Sequence, residues 1–103
     1  MEREGQQQDG RQRLDKWLFF SRLAKSRAVA QKRISDGEVI VNGRKAIQPS
    51  FSLRIGDRLE LLTWRGIRLH AQLVTVRDLG ERRGPFDEAR HLYEDHGWQS
   101  RDD

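Results

Sequence analysis

Lys25, Ser26 and Arg27 place two cations and a hydroxyl where a helical pattern begins. That combination suits an anion. The first residues of a helix have backbone N–H groups without acceptors and sit at the positive end of the dipole, so Arg27 and Ala28 would offer donors to a phosphate. More charge surrounds this point. From Arg11 to Lys45 the chain has ten Lys or Arg against three Asp or Glu, a net of +7. The whole chain sums to +4, which leaves −3 for everything else. Positive charge gathered into one segment points to a polyanion as partner. Of the twenty basic residues sixteen are Arg, whose planar fork suits bidentate phosphate contacts and stacking on bases.

Other chemistries find little support. The chain has no Cys, which excludes disulfides and thiolate metal sites. His91 and His96 are five apart and not on one helical face, and His70 is remote, so no metal site is expected. No Gly-rich phosphate loop and no Ser-His-Asp order occurs, and Asp57 reads as a turn residue. The expectation is a non-enzymatic protein with no cofactor and no small-molecule substrate. At 103 residues, 35% hydrophobic and 35% charged, the chain is one domain with a thin core. No apolar run approaches the roughly 18 residues of a membrane span. The N-terminus, with Glu2, Glu4 and Gln6 to Gln8, has no secretory apolar region. A cytoplasmic protein without membrane partners is expected.

The elements that must position the cations follow from periodicity. Residues 1–12 are polar and read as a disordered tail, 13–96 as one domain, and 97–103 as a second tail. Leu14, Trp17 and Leu18 form one apolar stripe of a first helix opening near Arg13, flanked by Arg13 and Lys16. Ser26 is the expected N-cap of a second helix with Val29, Ala30 and Ile34 on its apolar face, ended by Asp36-Gly37. From Glu38 the period becomes two, and Asn42-Gly43 signals a type I′ hairpin with Arg44 to Ile47 returning. Leu53 and Ile55, a Gly56-Asp57 turn and Leu59 to Leu62 suggest a second hairpin. Ile67, Leu69, Ala71, Leu73 and Thr75 alternate along a long strand, and Asp87 to about Asp95 reads as a last helix. Trp17 is expected in the core, Trp64 as a lid over the sheet, and Asp15 as a structural residue orienting the first turn or a neighbouring Arg. Phe19 either packs under the last helix or offers a ring to a base.

Several of these residues recur in a fixed order. Arg13-Leu14-Asp15, Leu18, Ser26-Arg27, Ala30, Ile34, Gly37, Val39, Val41-Asn42-Gly43, Pro49-Ser50 and Gly56-Asp57 together resemble the S-four RNA-binding domain, named for ribosomal small-subunit protein four. The ending Arg82-Arg83, Pro85, Glu88-Ala89 and Leu92-Tyr93-Glu94 is similar to the stand-alone heat-shock protein fifteen family. The resemblance implies an α+β fold, the αL RNA-binding motif: two N-terminal helices packed on an antiparallel sheet of four to five strands, with a C-terminal helix. It implies an RNA face of Arg13, Lys16, Arg22, Lys25, Ser26, Arg27, Lys32, Asn42, Gly43, Arg44 and Lys45. The implied partners are ribosomal RNA and the large ribosomal subunit, with tRNA beside them. Members of this short type favour free subunits carrying a nascent chain on tRNA, in recycling or quality control. A monomer is expected. One departure is Arg33, which takes a usually apolar place on the second helix, so either its head snorkels outward or the helix is rotated. The competing readings are an accessory subunit or remnant of an RNA-modifying enzyme, and a protein-interaction adaptor.

Overall fold

The computed structural model describes residues 10–101. Its strands are β1 (Arg11–Arg13), β2 (Val39–Val41), β3 (Arg44–Lys45), β4 (Ser52–Arg54), β5 (Arg58–Arg65), β6 (Arg68–Val76) and β7 (Tyr93–Ser100). Its helices are α1 (Leu14–Phe20), α2 (Arg27–Ser35) and a short α3 (Phe86–Ala89), continued by a 3-10 turn at Arg90–Leu92. The main sheet is antiparallel with order β3-β2-β5-β6-β7, and β1 and β4 form a separate two-stranded ribbon. This is the expected α+β class.

The helices form where the stripes are. Leu14, Trp17 and Leu18 of α1 and Ala30 and Ile34 of α2 are buried against Val39, Val41, Leu59, Leu61, Val74 and Val76 of the sheet. Trp17 is fully buried and its indole N–H donates to the Asp78 carbonyl at 2.9 Å, so the ring's one polar group is satisfied. Asn42 (φ 51°) and Gly43 (φ 88°) form the tight turn, both in the left-handed region that a type I′ turn needs.

Five expectations are corrected. Strand β1 begins inside the stretch expected to be a tail, because Gln12 is buried and makes a reciprocal pair with Gly80: its Nε2 donates to the Gly80 carbonyl at 2.7 Å and its Oε1 accepts from the Gly80 N–H at 3.0 Å. The rest of that tail, residues 1–9, lies outside the described residues, as do 102 and 103. Strand β4 pairs with β1, not with β5; the Asp57 carboxylate accepts the Arg54 N–H at 2.8 Å and turns the chain away from a hairpin.

The last helix is one turn long where about nine residues were expected. From Tyr93 the chain is extended along the free edge of β6, so most of the expected second tail is the edge strand β7. The long strand β6 would otherwise expose a row of unpaired backbone groups, and pairing satisfies them. Trp64 does not act as a lid: it stands 61% exposed near the tip of the β5–β6 hairpin.

Candidate nucleic-acid interface

Asp15 lies in the first turn of α1 with its side chain fully buried, and three donors converge on it. Arg13 binds it through both prongs, Nε to Oδ1 and Nη2 to Oδ2, each at 3.0 Å. Arg27 at the start of α2 reaches Oδ2 at 3.3 Å, and Gln31 one turn further reaches the same oxygen at 2.9 Å. The backbone is fixed as well, because the N–H groups of Leu14 and Asp15 donate to the carbonyls of Phe51 and Pro49. Burial alone would raise the carboxyl pKa. The hydrogen bonds from Arg13 and Gln31 and the charges of Arg27 and Arg13 outweigh it and hold the group down at about 2. The same contact raises Arg13 above its ordinary value, through the hydrogen bond first and the charge second.

The two guanidiniums remain available. The side chains of Arg13 and Arg27 are 49% and 42% exposed. Two positive forks against one carboxylate leave an excess of one charge, held in a set geometry and open to solvent on the far side. Asp15 thus orients the cations instead of cancelling them.

The start of α2 carries the second feature. Ser26 is the N-cap, in extended conformation, and its Oγ accepts the Val29 N–H at 3.0 Å. That leaves the Arg27 and Ala28 N–H groups at the open end of the helix. The first turn has no acidic residue of its own, so the charge that meets this helix end is the buried Asp15 carboxylate shared with Arg27. Lys25 is exposed just before it and has no ion pair among the described residues.

The other expected residues divide. Lys16 lies 5.8 Å from the centre of the Phe20 ring, alongside α1. Lys32 pairs with Asp36 at 3.0 Å yet its side chain stays 78% exposed. Arg44 and Lys45 are exposed on β3, and the Lys45 stem passes Gly37 at the far end of α2. The hairpin cations are therefore separated from the Lys25–Arg27 group by the length of α2, about 13 Å.

Two of the expected residues also bond within the chain. Arg22, in the left-handed region at φ 65°, donates its Nε to the Gly84 carbonyl at 2.6 Å. The Asn42 side chain spans Asp57 (3.0 Å) and the Arg58 N–H (2.9 Å). Asn42 shapes the turn, and its amide oxygen and nitrogen already have partners within the chain.

The Arg33 head does not snorkel free into solvent: its guanidinium turns to the sheet, with bonds to the Leu62 carbonyl at 2.6 Å, Thr63 at 3.2 Å and Glu38 at 3.2 Å. Gln31 escaped the sequence reading, and Arg83 entered it only as part of the family-like ending, with no role assigned. Arg83 donates to the Phe19 and Ala24 carbonyls at 2.6 and 3.1 Å and lies 4.5 Å over the Phe19 ring, so that face of Phe19 is occupied from within the chain. No spacing signal marks it, because its partners are about 60 residues away.

The comparisons agree with this architecture. The family profile of the S4 domain matches residues 12–59. Heat shock protein 15 of Escherichia coli (strain K12) is 37% identical over 83 residues, 81% of this chain and 59% of that protein. The chain thus spans about three fifths of the length of that relative. Small ribosomal subunit protein uS4 of Kosmotoga olearia is 43% identical over 49 residues, 48% of this chain but 24% of the relative. Among solved structures, the trimeric structure of Vibrio cholerae heat shock protein 15 superposes with a TM-score of 0.71 at 32% identity, covering 82% of this chain and 81% of that one. With both the helix pair and the strands after it accounted for, this chain belongs to the S4-domain proteins, in the heat shock protein 15 family.

Proposed function

We propose that the chain binds structured RNA and catalyses no reaction. The observation that carries this is the joint start of α1 and α2, where a buried Asp15 presents the half-exposed forks of Arg13 and Arg27 beside a helix end with no acidic residue in its first turn. Forks held this way meet phosphates without first losing side-chain freedom, which favours binding by backbone shape over base sequence. Lys16, Lys25, Arg44 and Lys45 extend the surface, with Lys32 shared with Asp36. The proposed target is ribosomal RNA on the large subunit, on free subunits that still carry a nascent chain on tRNA, in recycling or quality control in the cytoplasm.

If about five phosphates are engaged, log affinity falls with log salt at a slope of roughly −3.5 to −4.5. A slope near zero removes the electrostatic account. Arg27→Ala weakens RNA binding by about 1–2 kcal/mol while the domain still folds, through loss of a charge-assisted contact. Sucrose gradients then decide the target. Sedimentation with large subunits supports the reading, and travel with small subunits or with neither defeats it.

A further inference from the structure

Outside the helix face the chain has a second stretch with one sign of charge. From Leu61 to Arg77 there is no Asp or Glu, whereas Arg65, Arg68 and Arg77 add three positive charges. Strand β2 covers β5 only at Leu59–Leu61, so the β5–β6 hairpin runs on past it as a ribbon with β7 alongside. Large apolar groups stand in water near its tip: Trp64 is 61% exposed, Ile67 90% and Trp98 46%.

Successive side chains of a strand point to opposite faces, so Trp64 and Arg65 look out from opposite sides of the ribbon. On one side the Arg65 guanidinium lies 4.6 Å from the centre of the Trp98 ring, a flat cationic platform. On the other, Trp64 offers a largely bare indole. Neither Arg65 nor Arg68 has an ion pair among the described residues. Flat rings and guanidiniums with no carboxylate paired to them among the described residues match an unpaired nucleic-acid strand, whose bases stack and whose phosphates repel acids.

We propose that the tip of the β5–β6 ribbon is a second RNA contact, which stacks unpaired bases on Trp64 and on the Arg65–Trp98 pair while Arg68 meets a phosphate. It rests on the RNA-binding reading above and adds a ligand class, single-stranded RNA, to the folded RNA of the helix face. Arg58 bonds the Asn42 side chain and Arg65 is seven residues further along the strand, so the tip lies about 23 Å from the β2–β3 turn. A stem continuing into an unpaired strand can touch both.

The test uses the full chain and two RNAs in anisotropy titrations at one salt concentration: a blunt-ended hairpin, and the same hairpin with a single-stranded uridine extension. The extension tightens binding by the wild type. Trp64→Ala loses that gain, about five- to fifty-fold, because base–aromatic stacking is removed. Its affinity for the blunt hairpin stays within about twofold, as for a surface substitution away from that contact. Trp64→Phe keeps a ring and restores most of the gain. The proposal is overturned if the extension adds no affinity, or if Trp64→Ala and wild type bind both RNAs alike, as a protein-docking patch would give. In either case a loss on Arg27→Ala still upholds the helix face. A wild type that binds neither RNA overturns both.

Discussion

At the start of the helices, Arg13, Arg27 and Gln31 close around the buried Asp15 carboxylate, whereas on the ribbon Arg65 lies on Trp98 and Arg68 has no ion pair among the described residues. The first arrangement is coupled to the core. Its cations are set by a buried group that also lies between the loop at Pro49–Phe51 and the first turn of α2. The second is coupled to little beyond its own strands. Two basic surfaces of one small domain therefore differ in what they cost to disturb, and stability separates them before any RNA is added.

The largest expected effect is on Asp15. Asp15→Ala leaves two guanidiniums and an amide without their shared acceptor, and destabilises the fold by about 3 kcal/mol, the low end for breaking a buried pair since both Arg are half exposed. Trp64→Ala, on the exposed ribbon, changes stability by less than about 0.5 kcal/mol. Urea denaturation of both variants checks the contrast, and similar losses from the two would break it.

Acid sharpens it. The Asp15 carboxyl is held at about 2 against an ordinary 3.8, so the folded chain favours the ionised form more than the unfolded chain does. That contribution is fully present above the unfolded value and is lost as pH falls toward 2. It amounts to about 2 kcal/mol. In Asp15→Asn this part of the acid dependence disappears, while Trp64→Ala keeps the wild-type profile; denaturation curves between neutral pH and pH 2 distinguish the two. A smaller effect is expected at the helix cap. Ser26→Ala lowers stability by about 1 kcal/mol and Ser26→Gly by only a few tenths, because glycine tolerates the cap conformation and leaves the N–H open to water. Thermal melts that rank them the other way would remove the cap from the account.

Much of this frame was legible in the chain, because the signals are local. The Leu14–Leu18 stripe, the Ser26 cap, the Asn42-Gly43 turn and the alternation from Ile67 to Thr75 each lie within a few residues and follow from one period or one backbone requirement. What was not legible depends on distant partners. Residues Tyr93 to Ser100 have no strand pattern of their own, and the free edge of β6 supplies their order. Gln12 reads as polar and exposed until Gly80 meets it. Arg22 and Asn42 read as ligand contacts because Gly84 and Asp57, which engage them, are 62 and 15 residues away. The family pattern named these cations but did not reveal which of them also bond within the fold.

The Gln12–Gly80 pair has a consequence for the time at which the protein becomes competent. With Trp17 tied to Asp78, Arg22 to Gly84 and Arg83 to Phe19, the N-terminal helix is anchored by residues that emerge late in synthesis. The cationic segment is thus made before the residues that brace it, and the first helix gains its anchors only once Asp78 to Gly84 have joined it.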